Sequence, residues 1–193
     1  MSDSHALGVP ERRLRKLRVF GLGATIALLA AIGFGAWIYV DHHNNSQSST
    51  VRRAKAVAAT REDLVNLATR VKHPVYWAGP IAGDTYELTK TNDGRIYVRY
   101  LPSGVAIGDP NPKYTTVGTY PDATAYSTLS ASATRAGAKS YNTQSGALVV
   151  TNTKTPTSVY FAFKGTPYLV EVFDPSATKA LQLVLSGQIK LIS

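Results

Sequence analysis

Residues Val19 to Val40, VFGLGATIALLAAIGFGAWIYV, form an unbroken uncharged stretch of 22 residues whose one plainly polar side chain is Thr25. As a helix it is roughly 33 Å long, enough to cross the hydrocarbon core of a bilayer. Ten of its residues are Leu, Ile, Phe or Val, and these offset the cost of inserting its four glycines. Trp37 and Tyr39 lie near its far end, where amphipathic rings prefer the headgroup layer. A core helix of this length would carry charge on at least one face. The run therefore reads as a transmembrane signal-anchor.

The flanks set its orientation. Arg12, Arg13, Arg15, Lys16 and Arg18 precede the run; after it no Lys or Arg occurs until Arg52. Cationic residues resist translocation, so residues 1–18 read as a cytoplasmic basic tail and everything after Val40 as extracytoplasmic. A cleaved signal peptide would have a shorter apolar core and an A-x-A-like site. The best sites here, Gly33-Phe34-Gly35 and Phe34-Gly35-Ala36, are poor matches. Arg12-Arg13 lies in ERRLRKL, which lacks the phenylalanine of a twin-arginine export signal. The plasma membrane, crossed once, is the expected location, and membrane lipid the first expected partner. Gly23, Ala27, Ala31 and Gly35 recur every four residues and make a small-residue stripe. The helix of a second copy, giving a homodimer, or that of another membrane protein could approach along it. Small residues are also common in membrane helices without any such contact.

Residues 41–73 read as a polar spacer followed by a helical stalk. Asp41 to Thr50, DHHNNSQSST, has no apolar side chain and is linker-like. His42 and His43 sit in a flexible chain without fixed geometry, so they do not suggest a metal site. From Val51 to Val71 the apolar residues Ala54, Val57, Ala58, Leu64, Val65, Ala68 and Val71 follow a 3–4 spacing. Thr60-Arg61-Glu62-Asp63 can cap a fresh helix start, so either two helices or one bent helix fits. The polar side is basic and suits anionic lipid or an anionic wall polymer; a solvated helix face explains it equally.

Residues 74–193 have the size of one independent domain. Ten of the eleven tyrosines fall there. Thr85–Thr91 and Arg95–Leu101 flank Asn92-Asp93-Gly94 and predict a hairpin. Tyr114–Tyr120 predicts a third strand after a Pro- and Gly-rich loop, and Pro121 to Ala136 a helix with Ala125, Leu129 and Ala133 on its apolar stripe. Strands follow at Ala147–Thr151, Ser158–Phe163 and Tyr168–Phe173. A second helix opens at Asp174-Pro175, stops at Gly187, and a final strand covers Gln188–Ile192. The expected fold is α+β: an antiparallel sheet with two helices on one face, in two β-β-β-α halves plus a last strand. Ile96–Tyr100 parallels Val159–Phe163, and Pro121-Asp122 parallels Pro175-Ser176. Internal duplication and shared turn chemistry both account for this.

Composition limits the chemistry. The chain has no cysteine, and residues 74–193 contain no histidine. Ser-His-Asp, Cys-His and His-rich metal sites are therefore not available within that domain. Ser176-Ala177-Thr178-Lys179 matches S-x-x-K, but no K-T-G follows and the domain is too small for the penicillin-recognising fold. Glu87 and Glu171 lie on predicted strands and are the candidate pair for a carboxylate hydrolase. No cofactor motif is present, and no calcium-loop ligand spacing surrounds Asp109. The net charge of +9 divides as +3 in each of residues 1–18, 41–73 and 74–193, which does not suit nucleic-acid binding. Tyr76, Trp77, Tyr86, Tyr97 and Tyr100 could line a groove for sugar rings or a partner's surface, although rings on alternating strands more commonly pack in the core. The sequence reads as a membrane-anchored, non-catalytic binding or interaction module of a bacterial cell envelope. A carboxylate hydrolase and a regulatory or assembly subunit of a membrane complex are the alternatives.

Overall fold

In the computed structural model, which describes residues 54–193, the chain enters the fold as an edge strand. Strand β1 (Val57–Ala59) pairs antiparallel with β3 (Asp84–Lys90), Val57 opposite Leu88. Thr60 then starts helix α1 (Arg61–Val71) with a capping box. Its hydroxyl accepts from the Asp63 N–H at 3.1 Å, and its own N–H donates to the Asp63 carboxylate at 2.8 Å. Lys72 ends the helix in the left-handed conformation, φ 55°, and donates its N–H to the Ala68 carbonyl. Leu64 and Leu67 of α1 are buried in the main core. The helical stalk expected before residue 74 is thus part of the domain: Val57–Ala59 is strand, and α1 packs on the sheet. The apolar spacing of a packed helix and of a free stalk helix is the same, so spacing could not separate them.

The hairpin β3–β4 (Ile96–Pro102) forms around Asn92-Asp93-Gly94 as expected, with Lys90 opposite Ile96. Strand β5 (Thr116–Pro121) follows, then helix α2 (Ala125–Ala133). Strands β6 (Ala138–Asn142), β7 (Ala147–Asn152), β8 (Ser158–Phe163) and β9 (Tyr168–Phe173) precede helix α3 (Ala177–Leu185). Two-residue strands β2 (Tyr76–Trp77) and β10 (Lys190–Leu191) pair with each other, so the last strand does not join the main sheet. That sheet has eight strands in the order β1-β3-β4-β5-β9-β8-β7-β6, every neighbouring pair antiparallel. The α+β class expected from sequence is present, with three helices among the described residues.

The helices do not share one face. Alternation along β7, β8 and β9 sends Val149, Val159, Phe161, Val170 and Val172 to one side, where they meet α1 and α3 through Leu64, Leu67, Ala180, Leu183 and Val184. Leu148, Val150, Tyr160, Ala162 and Leu169 point to the other side and meet Ala125 and Leu129 of α2. These three strands are apolar in both parities, so each face needs a cover. The units β3-β4-β5-α2 and β7-β8-β9-α3 do repeat in order, and β5 and β9 join them at the sheet centre. A twofold axis relating two antiparallel neighbours stands normal to the sheet and keeps each helix on its own face. With α2 and α3 on opposite faces, that symmetry is broken. The tail 1–18, the apolar run 19–40 and the spacer 41–50 lie outside the described residues, together with Gly23, Ala27, Ala31 and Gly35. Among the described residues no helix is long and apolar enough to cross a membrane.

Candidate functional site

Glu171 is the only acid on β9, and its strand YLVEVF is otherwise apolar or aromatic. The pleat turns it to the α2 face, opposite Gly118 of β5. It is 2% exposed, and three hydroxyls surround it. Tyr120 donates to one carboxylate oxygen at 2.5 Å, while Tyr160 (2.7 Å) and Ser158 (2.8 Å) donate to the other. Burial raises the Glu171 carboxyl above its ordinary value, and the three hydroxyl donors pull it back. Burial also holds the Tyr120 phenol well above its usual range, helped by the nearby carboxylate, so it remains a donor.

Gly118 makes the Tyr120 contact geometrically available. Tyr120 stands two residues further on the same face, and its ring lies back over Gly118. A Cβ there would meet the phenolic oxygen at 2.6 Å and the ring carbon beside it at 2.8 Å. The hydroxyl thereby reaches the residue directly across from Gly118. Tyr97 of β4 packs edge-on against Tyr120, with ring centroids 5.6 Å apart and planes at 80°. Burial raises the Tyr97 phenol above its ordinary value, and the neighbouring Arg95 and Tyr120 pull it back. Arg95 pairs with Asp93 of the hairpin at 2.9 Å. Polar side chains thus stand side by side from the hairpin to the buried carboxylate, through Asp93, Arg95, Tyr97 and Tyr120.

Glu87 lies on the same face, on β3, and is 1% exposed. One of its oxygens takes the Arg99 guanidinium at 2.5 Å, and the other the Gly108 N–H at 2.5 Å. Arg99 also donates to the carbonyls of Asp109 (3.1 Å) and Asn111 (2.9 Å), and its guanidinium sits 5.2 Å from the Tyr114 ring centre. This ion pair pins the loop between β4 and β5 onto the sheet. A third buried acid, Asp174, accepts from the Thr115 hydroxyl at 2.6 Å and the Ser176 N–H at 2.9 Å, and pairs with Lys179 at 2.9 Å. Ser176 caps α3 through the Lys179 N–H, so the cap falls two residues after the Asp174 expected from sequence.

Glu87 and Glu171 share a face, with β4 and β5 between their strands. Three strand spacings and a two-residue offset in register put their backbones about 16 Å apart. Carboxylates that work as a glycosidase pair stand roughly 5–9.5 Å apart, and here each is already engaged by its own donors. Among the described residues no group of three His, Asp or Glu side chains is placed to hold a metal ion.

Four of the five aromatic candidates lie on the α1 side. Trp77 is buried and meets Tyr86 edge-on at 5.8 Å, and Tyr86 meets Tyr100 at 5.5 Å. The Tyr100 hydroxyl accepts the Ala78 N–H at 2.6 Å. Tyr76 is half-buried against Phe161, with ring centroids 5.5 Å apart. Tyr97 points to the other face, so the five do not line one groove. Sequence reasoning singles out Glu171 but misses Tyr120, Tyr160 and Ser158. The signal that could find them is an acid inside an apolar strand, which needs hydroxyl or cationic neighbours, together with a glycine two residues before a tyrosine in TVGTY.

An open hollow of about 460 Å³ lies at the start of α2, lined in part by Thr124, Tyr126, Ser127, Lys164 and Thr166. Comparison with protein-family models, with curated proteins and with solved structures gives no match for this chain.

Proposed function

We propose that the chain is a single-pass, membrane-anchored interaction module of the cell envelope, with its α+β domain on the extracytoplasmic side and no catalytic role. The observation that carries this reading is the uncharged 22-residue run, with five cationic residues before it and none for eleven residues after it. The state of the buried acids supports the non-catalytic part. Glu87, Asp174 and Glu171 each spend both carboxylate oxygens on donors from the fold. A general acid or base needs an oxygen that can reach a substrate.

Two measurements test the reading. Full-length protein should require detergent for extraction, and protease added to whole cells should digest the C-terminal domain. A domain protected from protease, or a full-length product soluble without detergent, overturns it. Double substitution Glu87→Gln and Glu171→Gln tests the carboxylate-hydrolase alternative: loss of a detected hydrolytic activity in a folded double variant would establish it instead. Pull-down with the intact anchored chain would identify the partner.

A further inference from the structure

The register of the sheet decides which end of the domain meets the tether. Val57 lies opposite Leu88 and Ala59 opposite Tyr86, so the chain enters β1 from the end where the β3–β4 hairpin turns. That same end carries the close of β5, the start of α2, and the β8–β9 turn, since Pro121 pairs with Tyr168 and the Asp122 N–H bonds the Pro167 carbonyl. His73, just after α1, has its ring 5.6 Å from that of Tyr168 and belongs there too.

Four exposed lysines collect at this end: Lys55 before β1, Lys72 at the close of α1, Lys90 at the hairpin and Lys164 in the β8–β9 turn. Asp93 there is matched by Arg95, and Asp122 accepts from the Thr124 N–H and hydroxyl. At the far end Lys113, Lys154 and Lys179 are interspersed with Asp84, Asp109 and Asp174. Tyr126 and Tyr168 are half-buried at the tether end, the kind of ring that settles at headgroup depth.

We propose that this tether-side end is a cationic face that rests on an anionic bilayer surface. The proposal depends on the anchored reading above. Sixteen residues, 41–56, separate the apolar run from β1, and a chain of that length reaches at most about 55 Å. The domain is held at a height where free tumbling would bring any face to the lipid. Register and charge select one of them: the chain leaves from the hairpin end, and lysines within a Debye length of anionic headgroups are attracted. The sheet then stands with its strands along the membrane normal, and the Arg99-pinned loop, at the opposite end of β4, faces away.

The chain has no cysteine, so single labelling sites are easily placed. Full-length protein carrying Asn92→Cys at the tether end, or Ser103→Cys at the far end, is labelled with a donor fluorophore. It is reconstituted into vesicles of phosphatidylcholine alone, or with one part phosphatidylglycerol to two of phosphatidylcholine, containing an acceptor-labelled lipid. The two sites are roughly 25–30 Å apart along the strands. Expected is about twofold higher energy transfer from residue 92 than from 103 on anionic vesicles. The difference should collapse at about 1 M salt, on phosphatidylcholine alone, and in a Lys55→Glu, Lys72→Glu, Lys90→Glu, Lys164→Glu variant. Equal transfer from the two sites on anionic vesicles overturns the proposal and leaves the anchor standing. A difference that persists on neutral lipid and at high salt also overturns it, because the tether alone would then orient the domain without help from charge. If the protein does not float with either vesicle, the anchored reading fails and this one with it.

Discussion

Glu171 and Gly118 show how two side chains, one of them a hydrogen, tie the centre of the sheet together. Because burial raises the Glu171 carboxyl in the folded state, the folded protein holds that proton more tightly than the unfolded chain does. The stability cost of the charge is therefore absent at low pH and grows as pH rises above the ordinary carboxylate value through the raised one. Urea unfolding of wild type and Glu171→Gln at several pH values from about 4.5 to 7.5 should show the difference shifting toward wild type as pH falls. A difference independent of pH would mean that the three hydroxyl donors cancel the burial in full. Gly118→Ala acts on the same cluster without touching the acid. Its Cβ would collide with the Tyr120 hydroxyl at 2.6 Å, so the ring must swing away and a buried charged acceptor loses a donor. We expect a loss of about 1–3 kcal/mol in equilibrium unfolding. Tyr120→Phe added to Gly118→Ala should then cost little more, because the bond is already gone.

At the scale of elements, the β4–β5 loop is held by charge as much as by packing. Arg99 is 8% exposed and serves Glu87 and two loop carbonyls at once. Arg99→Met strands the Glu87 charge beneath the loop and should destabilise by about 3–5 kcal/mol. Pairing it with Glu87→Leu should recover much of the loss while leaving the loop unpinned. Hydrogen exchange separates the two effects: the double variant should regain protection in β3 and β4 but not at the Gly108 N–H. The ends of α2 and α3 follow a different rule from their middles. Their apolar stripes around Leu129 and Leu183–Val184 follow from spacing. The start of α3 departs from its Asp-Pro signal because Asp174 is spent on Thr115 and Lys179, which leaves Ser176 to cap the helix.

For the molecule as a whole, the boundary of the domain is where sequence and structure differ with most consequence. A chain shortened to begin at Pro74 would lack β1 and α1, uncovering the surface that Leu64 and Leu67 bury. It should lack a cooperative thermal transition, whereas residues 54–193 should unfold in one step; calorimetry of the two fragments checks this. The sequence by itself determined what depends on neighbours along the chain. That includes the hairpin at Asn92-Asp93-Gly94, the Thr60 cap, the α+β class, and six of the strands in the main sheet, because turn geometry, capping and pleat periodicity are local. Strand β2 has only two residues, and β6, AKSYN, is mostly polar with no buried side chain, so neither registers as an apolar alternation. Only the tertiary structure decided which face each helix covers, that α1 is core rather than stalk, and that Tyr120, Tyr160 and Ser158 converge on Glu171. Those outcomes rest on contacts between residues 11 to 51 positions apart along the chain, or across sheet faces, where no spacing rule in the sequence says which surface will meet which.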